Sequence, residues 1–488
     1  MQIDPYYALG WLGWACVRIH LHDSAGALEA AKRGLKLRPG WPEMTRQLVR
    51  ALEASGAVEE AIATCARALT ADPQHAALRS MYLLLLNYRS DHGSLLLESH
   101  REFGRLHARP LNPPRLDANP ERSLRIGLLS ADLRTHSVAF FAEPLLQHVP
   151  SWAALMVFSL AAAPDDPLNR RLRALGTPWL EVGTMDDRAL NNVIRAHQID
   201  VLLDLHGHAG NNRLPALADK PAPVIITALG YPNTTGLPSI DWRLVDSITD
   251  PVGSESACTE RLLRLDPCFL CYTPPADAPE PALPPLSTPT TFGSFNALSK
   301  ISDLTIELWA GVIAAVADSR LLLKTTALSD PSARAHLMER LARAGISLDR
   351  VEVVPHTPTI REHLKVYSRI HVALDTTPYN GTTTTCEALW QGVPVVCLAG
   401  DRHAARVSAS LLTAIDRADL VAHSTADYVA TASRLAGDRP ALEQLRLDLR
   451  HAMRDSPLVD QVNYAARFYA AVRICWVDWC KLNKGPLK

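Results

Sequence analysis

From the N-terminus to about Pro110, apolar and small residues recur at helical spacing. From Leu124 onward the texture changes to short β-branched runs separated by amphipathic stretches. In the first part Pro5, Pro39 and Pro73 stand 34 residues apart, each after a polar residue (Asp4, Arg38, Asp72). That is the period of a tetratricopeptide repeat. Laid over one another on this period, Ala27 falls on Ala61, Leu28 on Ile62, Ala31 on Cys65 and Leu35 on Leu69. Small residues at such positions let two antiparallel helices approach closely, and each proline stops the second helix of its pair. Coincidence in an Ala- and Leu-rich region does not make several positions agree at once. The opening Ile3-Asp4-Pro5 is like the end of a preceding repeat, which predicts a longer array with its first repeats missing. The pattern fades between His75 and Pro110, read as a further helical unit and a capping helix. Residues 1–110 are therefore expected to be an all-α domain, and 111–123 a linker.

The second texture predicts strands at Leu124–Ser130, Ala154–Leu160, Val201–Leu205, Val224–Gly230 and Asp241–Asp246, with helices such as Met185–Gln198 between them. Strands alternating with helices make a doubly wound α/β domain, here residues 124–272. The proline-dense segment 273–290 cannot hold a helix and reads as a stiff connection. Beyond it strand and helix signals alternate again, giving a second Rossmann-like domain over 291–488 with closing C-terminal helices. The expected fold is an α/β pair of Rossmann-like domains preceded by helical repeats. In open α/β sheets ligands bind beyond the carboxyl ends of the strands, so the loops there should carry the chemistry, in a cleft between the two halves.

A length of 488 residues suits about three domains. An apolar fraction of 47% and a charged fraction of 21% are those of an ordinary globular chain. A formal charge of −1 gives no nucleic-acid or membrane surface, and no run approaches the roughly 18 apolar residues of a spanning helix. The first ten residues lack the basic and apolar regions of a secretory signal, so a cytoplasmic location is expected. Nine scattered cysteines fit a reducing compartment, and Cys268 and Cys271, without a second pair or a nearby His, read as buried small residues.

Asp375–Gly392 concentrates the candidate chemistry. A strand pattern runs into Thr382, Thr383, Thr384 and Thr385 and then a helix with Glu387 in its early turns. Unpaired N–H groups and the macrodipole at a helix N-terminus favour an anion, short hydroxyls add bonds to phosphate oxygens, and an acid one turn on suits a ribose. A Thr-rich N-cap with a dipole-complementing Glu reads the same residues without a ligand. Lys300, at another strand-to-helix junction, can neutralise a diphosphate, where no Asp-x-Asp metal motif offers to do so. The loops after the strands also present His136, Asp204, His206, His208 and His363. His206 and His208 have no third ligand at telling spacing and read as loop or acceptor-side histidines rather than as a metal site.

The repeats, together with RIGLLSADLRTHSV (125–138), ALGYPNTTG (228–236), SFNALSKI (294–301), LDTTPYNGTTTTCEALWQGVPVV (374–396) and GDRHAARVSASLL (400–412), resemble the O-linked N-acetylglucosamine transferase family, including its plant SPINDLY-type branch. The resemblance runs over essentially the whole chain. It implies an inverting glycosyltransferase of the two-Rossmann-domain B type that needs no metal or other cofactor. Its donor would be UDP-GlcNAc and its acceptors Ser or Thr of proteins docked along the repeat groove. Position by position, it implies His136 as catalytic base and Lys300 as the lysine on the donor diphosphate. Thr382, Thr383 and Thr384 become the phosphate-facing turn and Glu387 the ribose-binding acid. Ala297, Pro358, His363, Leu364, Lys365 and Val366 would border the nucleotide.

This chain departs from the animal members at Ala297 (Gln there), Ile360 (Lys), Thr382 (His) and Glu387 (Asp), all around the base and ribose. The TTTTCE and THSV variants are closer to the SPINDLY branch, whose donor is GDP-fucose. On the acceptor side His136, Asp204 or a donor phosphate oxygen can take the proton, and His136 reads equally as a helix cap or a donor-phosphate contact without proton transfer. A nucleotide-binding repeat scaffold without turnover, and a small-molecule glycosyltransferase, are the rival classes; the second leaves the repeats unexplained.

Overall fold

The computed structural model describes residues 4, 6–89, 93–285 and 288–483. Pro5 and the Ile3-Asp4-Pro5 opening, Ser90–His92, Leu286–Ser287 and the last five residues of the second expected domain lie wholly or partly outside them. The chain divides by contact into two compact units, 1–92 with 275–453 and 93–274 with 454–488.

In the unit built around residues 93–274, seven parallel strands form one sheet: β1 (Leu124–Ser130), β2 (Ala153–Ser159), β3 (Trp179–Glu181), β4 (Val201–Asp204), β5 (Val224–Thr227), β6 (Trp242–Val245) and β7 (Arg261–Arg264). Their order is β3-β2-β1-β4-β5-β6-β7. Every residue of β4 and β5 is buried, as expected of central parallel strands covered on both faces. Helix Gly93–His107, expected as a cap on the repeats, belongs to this unit by contact. It lies so close to the loop after β5 that a Cβ on Gly104 would stand 1.9 Å from the Gly236 carbonyl oxygen. There Tyr231 donates its hydroxyl hydrogen to His100 Nε2 at 2.7 Å. The C-terminal helix Gln461–Asn483 also packs here, against helix Ser137–Gln147 and β5. Tyr469 donates to Leu145 O at 2.6 Å, Trp476 to Asn119 O at 3.1 Å and Arg473 to Pro120 O at 2.8 Å. This corrects the expectation that the closing helices all belong with residues 291–453, and the reason is the apolar face that Tyr464, Phe468, Val472 and Trp476 present along one side of that helix.

The other unit holds a second parallel sheet of β8 (Thr291–Ser294), β9 (Arg320–Lys324), β10 (Val351–Val354), β11 (Val372–Leu374), β12 (Val395–Leu398) and β13 (Val421–Ala422), ordered β10-β9-β8-β11-β12-β13. Both sheets thus reverse direction of growth beside their first strand, at β1/β4 and at β8/β11, and those are the switch points at which such sheets bind ligands.

Five helices, Ala8–His20, Ser24–Leu37, Pro42–Ala54, Val58–Ala71 and Ala76–Leu86, form the repeat array of this unit. Ala27, Ala31, Ala61 and Cys65 are fully buried at the positions where small residues were expected, and helices end at Leu37 and Ala71, two residues before Pro39 and Pro73. The array is bonded to the sheet half through Asp330, the N-cap of helix Pro331–Arg343, which accepts from Ser24 Oγ at 2.5 Å and Ala25 N at 3.0 Å. Partial burial works against that carboxylate, but these bonds and those from Ser332 outweigh it and bring its pKa down to about 2. A repeat turn at Gly56 (φ 81°) meets Leu298, two residues before Lys300, where a Cβ would come within 3.0 Å of Leu298 Cγ. The proline-dense connection is irregular, as its composition predicts, and is pinned by Arg361 to Asp277 O, Arg450 to Pro279 O and Arg446 to Ala282 O.

Candidate active site

At the β8/β11 switch point the loop after β11 is held from several sides. Asp375 Oδ1 accepts from Gly381 N at 2.7 Å and from Asn296 Nδ2 at 3.2 Å, and Ser302 Oγ and Thr305 Oγ1 donate to Thr377 O at 2.6 and 2.8 Å. The loop delivers the chain to helix Thr383–Trp390. Its N-cap Thr382 makes no side-chain capping bond, so the reading of this run as an ordinary Thr cap fails at its first residue. The four threonines then divide. Thr384 Oγ1 donates to Asn296 Oδ1 at 2.9 Å and Thr385 Oγ1 pairs with Ser408 Oγ at 2.9 Å, while the buried Thr383 Oγ1 has no hydrogen-bond partner among the described residues.

Lys300 ends the 3-10 turn Leu298–Lys300, which begins after Ala297. Its Nζ donates to Asn380 O at 2.8 Å and lies 4.2 Å over the Tyr379 ring. Burial lowers its pKa to about 8, with Asp375 opposing the shift. The structure therefore brings Lys300 together with the turn that precedes Thr382 and Thr383.

Glu387 is 6% exposed and lies with His363, whose Nε2 donates to Glu387 Oε2 at 3.0 Å. Two members of this cluster were not singled out from the sequence. Lys324, the last residue of β9, donates to His363 Nδ1 at 2.7 Å, and Tyr367 Oη donates to Glu387 Oε2 at 3.3 Å. Position at a strand's carboxyl end was the available signal for Lys324, and i+4 spacing from His363 the signal for Tyr367. The remaining residues of the 363–366 segment are not brought in: Leu364 (1% exposed) and Val366 (8%) pack into the core, Lys365 is exposed, and so is Pro358.

At the β1/β4 switch point of the other unit, His136 is the N-cap of helix Ser137–Gln147, with Nδ1 accepting from Val138 N at 3.3 Å. Asp132 Oδ2 lies 3.7 Å from the same Nδ1 and 3.6 Å from His206 Nδ1. Burial holds the His136 pKa below its ordinary value against the pull of Asp132. His206 Nε2 accepts from Ala131 N at 2.6 Å, which ties the β4 loop to the β1 loop. Asp204 is 1% exposed, and its oxygens accept from His206 N (3.2 Å), Gly207 N (2.9 Å) and Thr227 Oγ1 (3.0 Å), so it shapes the loop beneath the histidines. His208 turns the other way, its Nε2 2.8 Å from Thr235 O and its ring edge-on to Phe103. The two histidines of HGH therefore do not converge. All nine cysteines are free, and Cys268 and Cys271 are buried as expected. Among the described residues no helix is long and apolar enough to cross a membrane.

Comparison with known proteins agrees with this architecture. The model of glycosyl transferase family 41 matches residues 67–272 and 284–468. The Arabidopsis thaliana protein named "Probable UDP-N-acetylglucosamine--peptide N-acetylglucosaminyltransferase SPINDLY" is 38% identical over 421 residues, covering 84% of this chain and 46% of its own length. The Oryza sativa SPINDLY protein is also 38% identical, over 435 residues. The chain spans about half the length of the curated relatives it matches. A solved structure of a Thermobaculum terrenum O-GlcNAc transferase mutant superposes with a TM-score of 0.93 at 34% identity, covering 99% of this chain and 93% of that one. The chain belongs to glycosyl transferase family 41.

Proposed function

We propose that this protein is an inverting protein O-glycosyltransferase that transfers N-acetylglucosamine from UDP-GlcNAc to Ser or Thr hydroxyls of protein acceptors. The observation that carries the reading is the buried, unpartnered Thr383 hydroxyl at a helix N-terminus beside the Lys300 turn. A diphosphate supplies an acceptor for that hydroxyl and an anion for the helix N-terminus and the Lys300 ammonium. In the reaction the acceptor oxygen bonds to the sugar C1 as the bond from C1 to the diphosphate oxygen breaks. Lys300, Thr383 and the helix N–H groups stabilise the charge gathering on the departing nucleoside diphosphate, so the reading invokes no metal. Thr384, bonded to Asn296, shapes the turn rather than reaching the phosphates.

His136 is assigned the acceptor's proton, under one condition. With Nδ1 accepting from Val138, neutral His136 carries its proton on Nε2 and cannot act as a base there. Proton transfer at Nε2 requires the proton on Nδ1, facing Asp132. Asp204 is assigned a positioning role. Protein acceptors are assigned to the concave face of the helical repeats, and the cytoplasm is the compartment that suits nine free cysteines. A second reading, fucose transfer from GDP-fucose, is favoured by Glu387 and Thr382 at ribose- and phosphate-side positions.

Calorimetric titration with UDP and GDP separates these donors, and an intact-mass increase of an added acceptor protein separates enzyme from scaffold. UDP is expected to bind, and Lys300→Ala to weaken it about ten- to a hundredfold, the worth of a bond to a charged group. Unchanged affinity in that variant removes the diphosphate assignment.

A further inference from the structure

Lys324 is 5% exposed and takes part in no feature of the phosphate turn. Its ammonium donates to His363 Nδ1 at 2.7 Å. Because Nδ1 then accepts, the neutral imidazole must carry its proton on Nε2, and that nitrogen donates to Glu387 Oε2 at 3.0 Å. Tyr367 shares its one hydroxyl hydrogen between the same oxygen at 3.3 Å and Thr384 O at 3.2 Å. Both protein donors converge on Oε2, and among the described residues no hydrogen bond reaches Oε1. The chain of contacts joins three elements: the carboxyl end of β9, the segment 360–369, and the second turn of helix Thr383–Trp390.

We infer that Lys324 is a positioning residue for nucleotide recognition: it fixes His363 as the Nε2–H tautomer, which locks Glu387 with Oε1 presented to a ribose hydroxyl. The inference rests on the reading of this unit as a nucleotide-sugar site. Without the lysine, His363 is free to carry its proton on Nδ1. It would then turn an Nε2 lone pair toward the carboxylate, which repels it and releases Glu387 from its orientation. The same logic explains why a lysine is buried here beside a histidine: its ammonium meets a lone pair, and Glu387 lies one imidazole away.

The experiment compares UDP with 2′-deoxy-UDP and 3′-deoxy-UDP by calorimetry in the wild-type protein, Lys324→Met and Lys324→Arg, with the guanine series replacing uracil if GDP is the nucleotide that binds. The wild type is expected to prefer the ribonucleotide by about tenfold or more over at least one deoxy analogue. Lys324→Met should bring that ratio close to one by losing affinity for the ribonucleotide alone. Lys324→Arg, which still donates to Nδ1, should keep it. The 15N shifts of His363 should report an Nε2–H tautomer in the wild type and its loss in the Met variant. A Met variant that keeps the wild-type ratio overturns the inference. So does equal weakening of all three ligands, which marks the lysine as a general source of charge. If the wild type binds neither UDP nor GDP, the nucleotide reading itself falls, a result separate from either of these.

Discussion

Burial lowers the pKa of Lys300 to about 8 and that of His136 below its ordinary value, and the two shifts have opposite kinetic signs. A base must be unprotonated, so activity rises with pH through the His136 value, which burial places below that of an ordinary histidine. A diphosphate clamp must be protonated, so activity falls as pH passes about 8 and the Lys300 ammonium is lost. The expected profile of kcat/KM is therefore a bell, with its alkaline limb absent in Lys300→Met and its acid limb absent in His136→Asn. An alkaline limb that survives in the lysine variant assigns that limb to another group. Thr383 is legible as a candidate because it opens a helix, Lys300 because it stands just before the helix Asp303–Ala315, and Glu387 because it lies one turn into the helix that Thr383 opens. Lys324 ends β9, but its pairing with His363 is not legible, because His363 arrives from a different element. The side chains of Leu364 and Val366 turn into the core, since sequence neighbours on a helical turn point in different directions.

At the level of elements, the central strands were readable from their continuous apolar runs, and β1 is found at the predicted residues Leu124–Ser130. The short edge strands β3, β7 and β13 escaped, since partial exposure leaves them no such run. Helix Gly93–His107 was seen as a helix but its partner was not, because what selects the partner is a missing side chain. At Gly104 the helix comes within reach of the Gly236 carbonyl, and Gly236 itself has φ 78°. Gly104→Ala should cost about 1–3 kcal/mol, as overpacking does. Gly13→Ala, in an exposed helical position with nothing within 4 Å of an added Cβ, should stabilise by about 0.5–1 kcal/mol. Denaturant titration of the two variants checks both signs, and a neutral Gly104→Ala means that the helix can shift away without loss.

On the scale of the molecule, each unit is assembled from two separated pieces of chain, a fact that composition and periodicity do not encode. Truncation after Met453 removes Tyr469, Arg473 and Trp476, whose bonds reach Leu145, Pro120 and Asn119. Hydrogen exchange is then expected to speed up in β1–β5 and to stay slow in β8–β13; unaltered protection in β1–β5 would show that the helix is an ornament to its sheet. The placement of helix Gln461–Asn483 also bears on how the protein is made. All seven strands of the first sheet have left the ribosome once Arg264 and its neighbours emerge, yet the helix that packs on β5 and on helix Ser137–Gln147 is still unsynthesised. At about 5–20 residues per second that interval lasts roughly 10–40 s. For that time β5 and helix Ser137–Gln147 wait without the apolar helix face that packs on them, so a nascent chain stalled before residue 461 should be a ready client for chaperones.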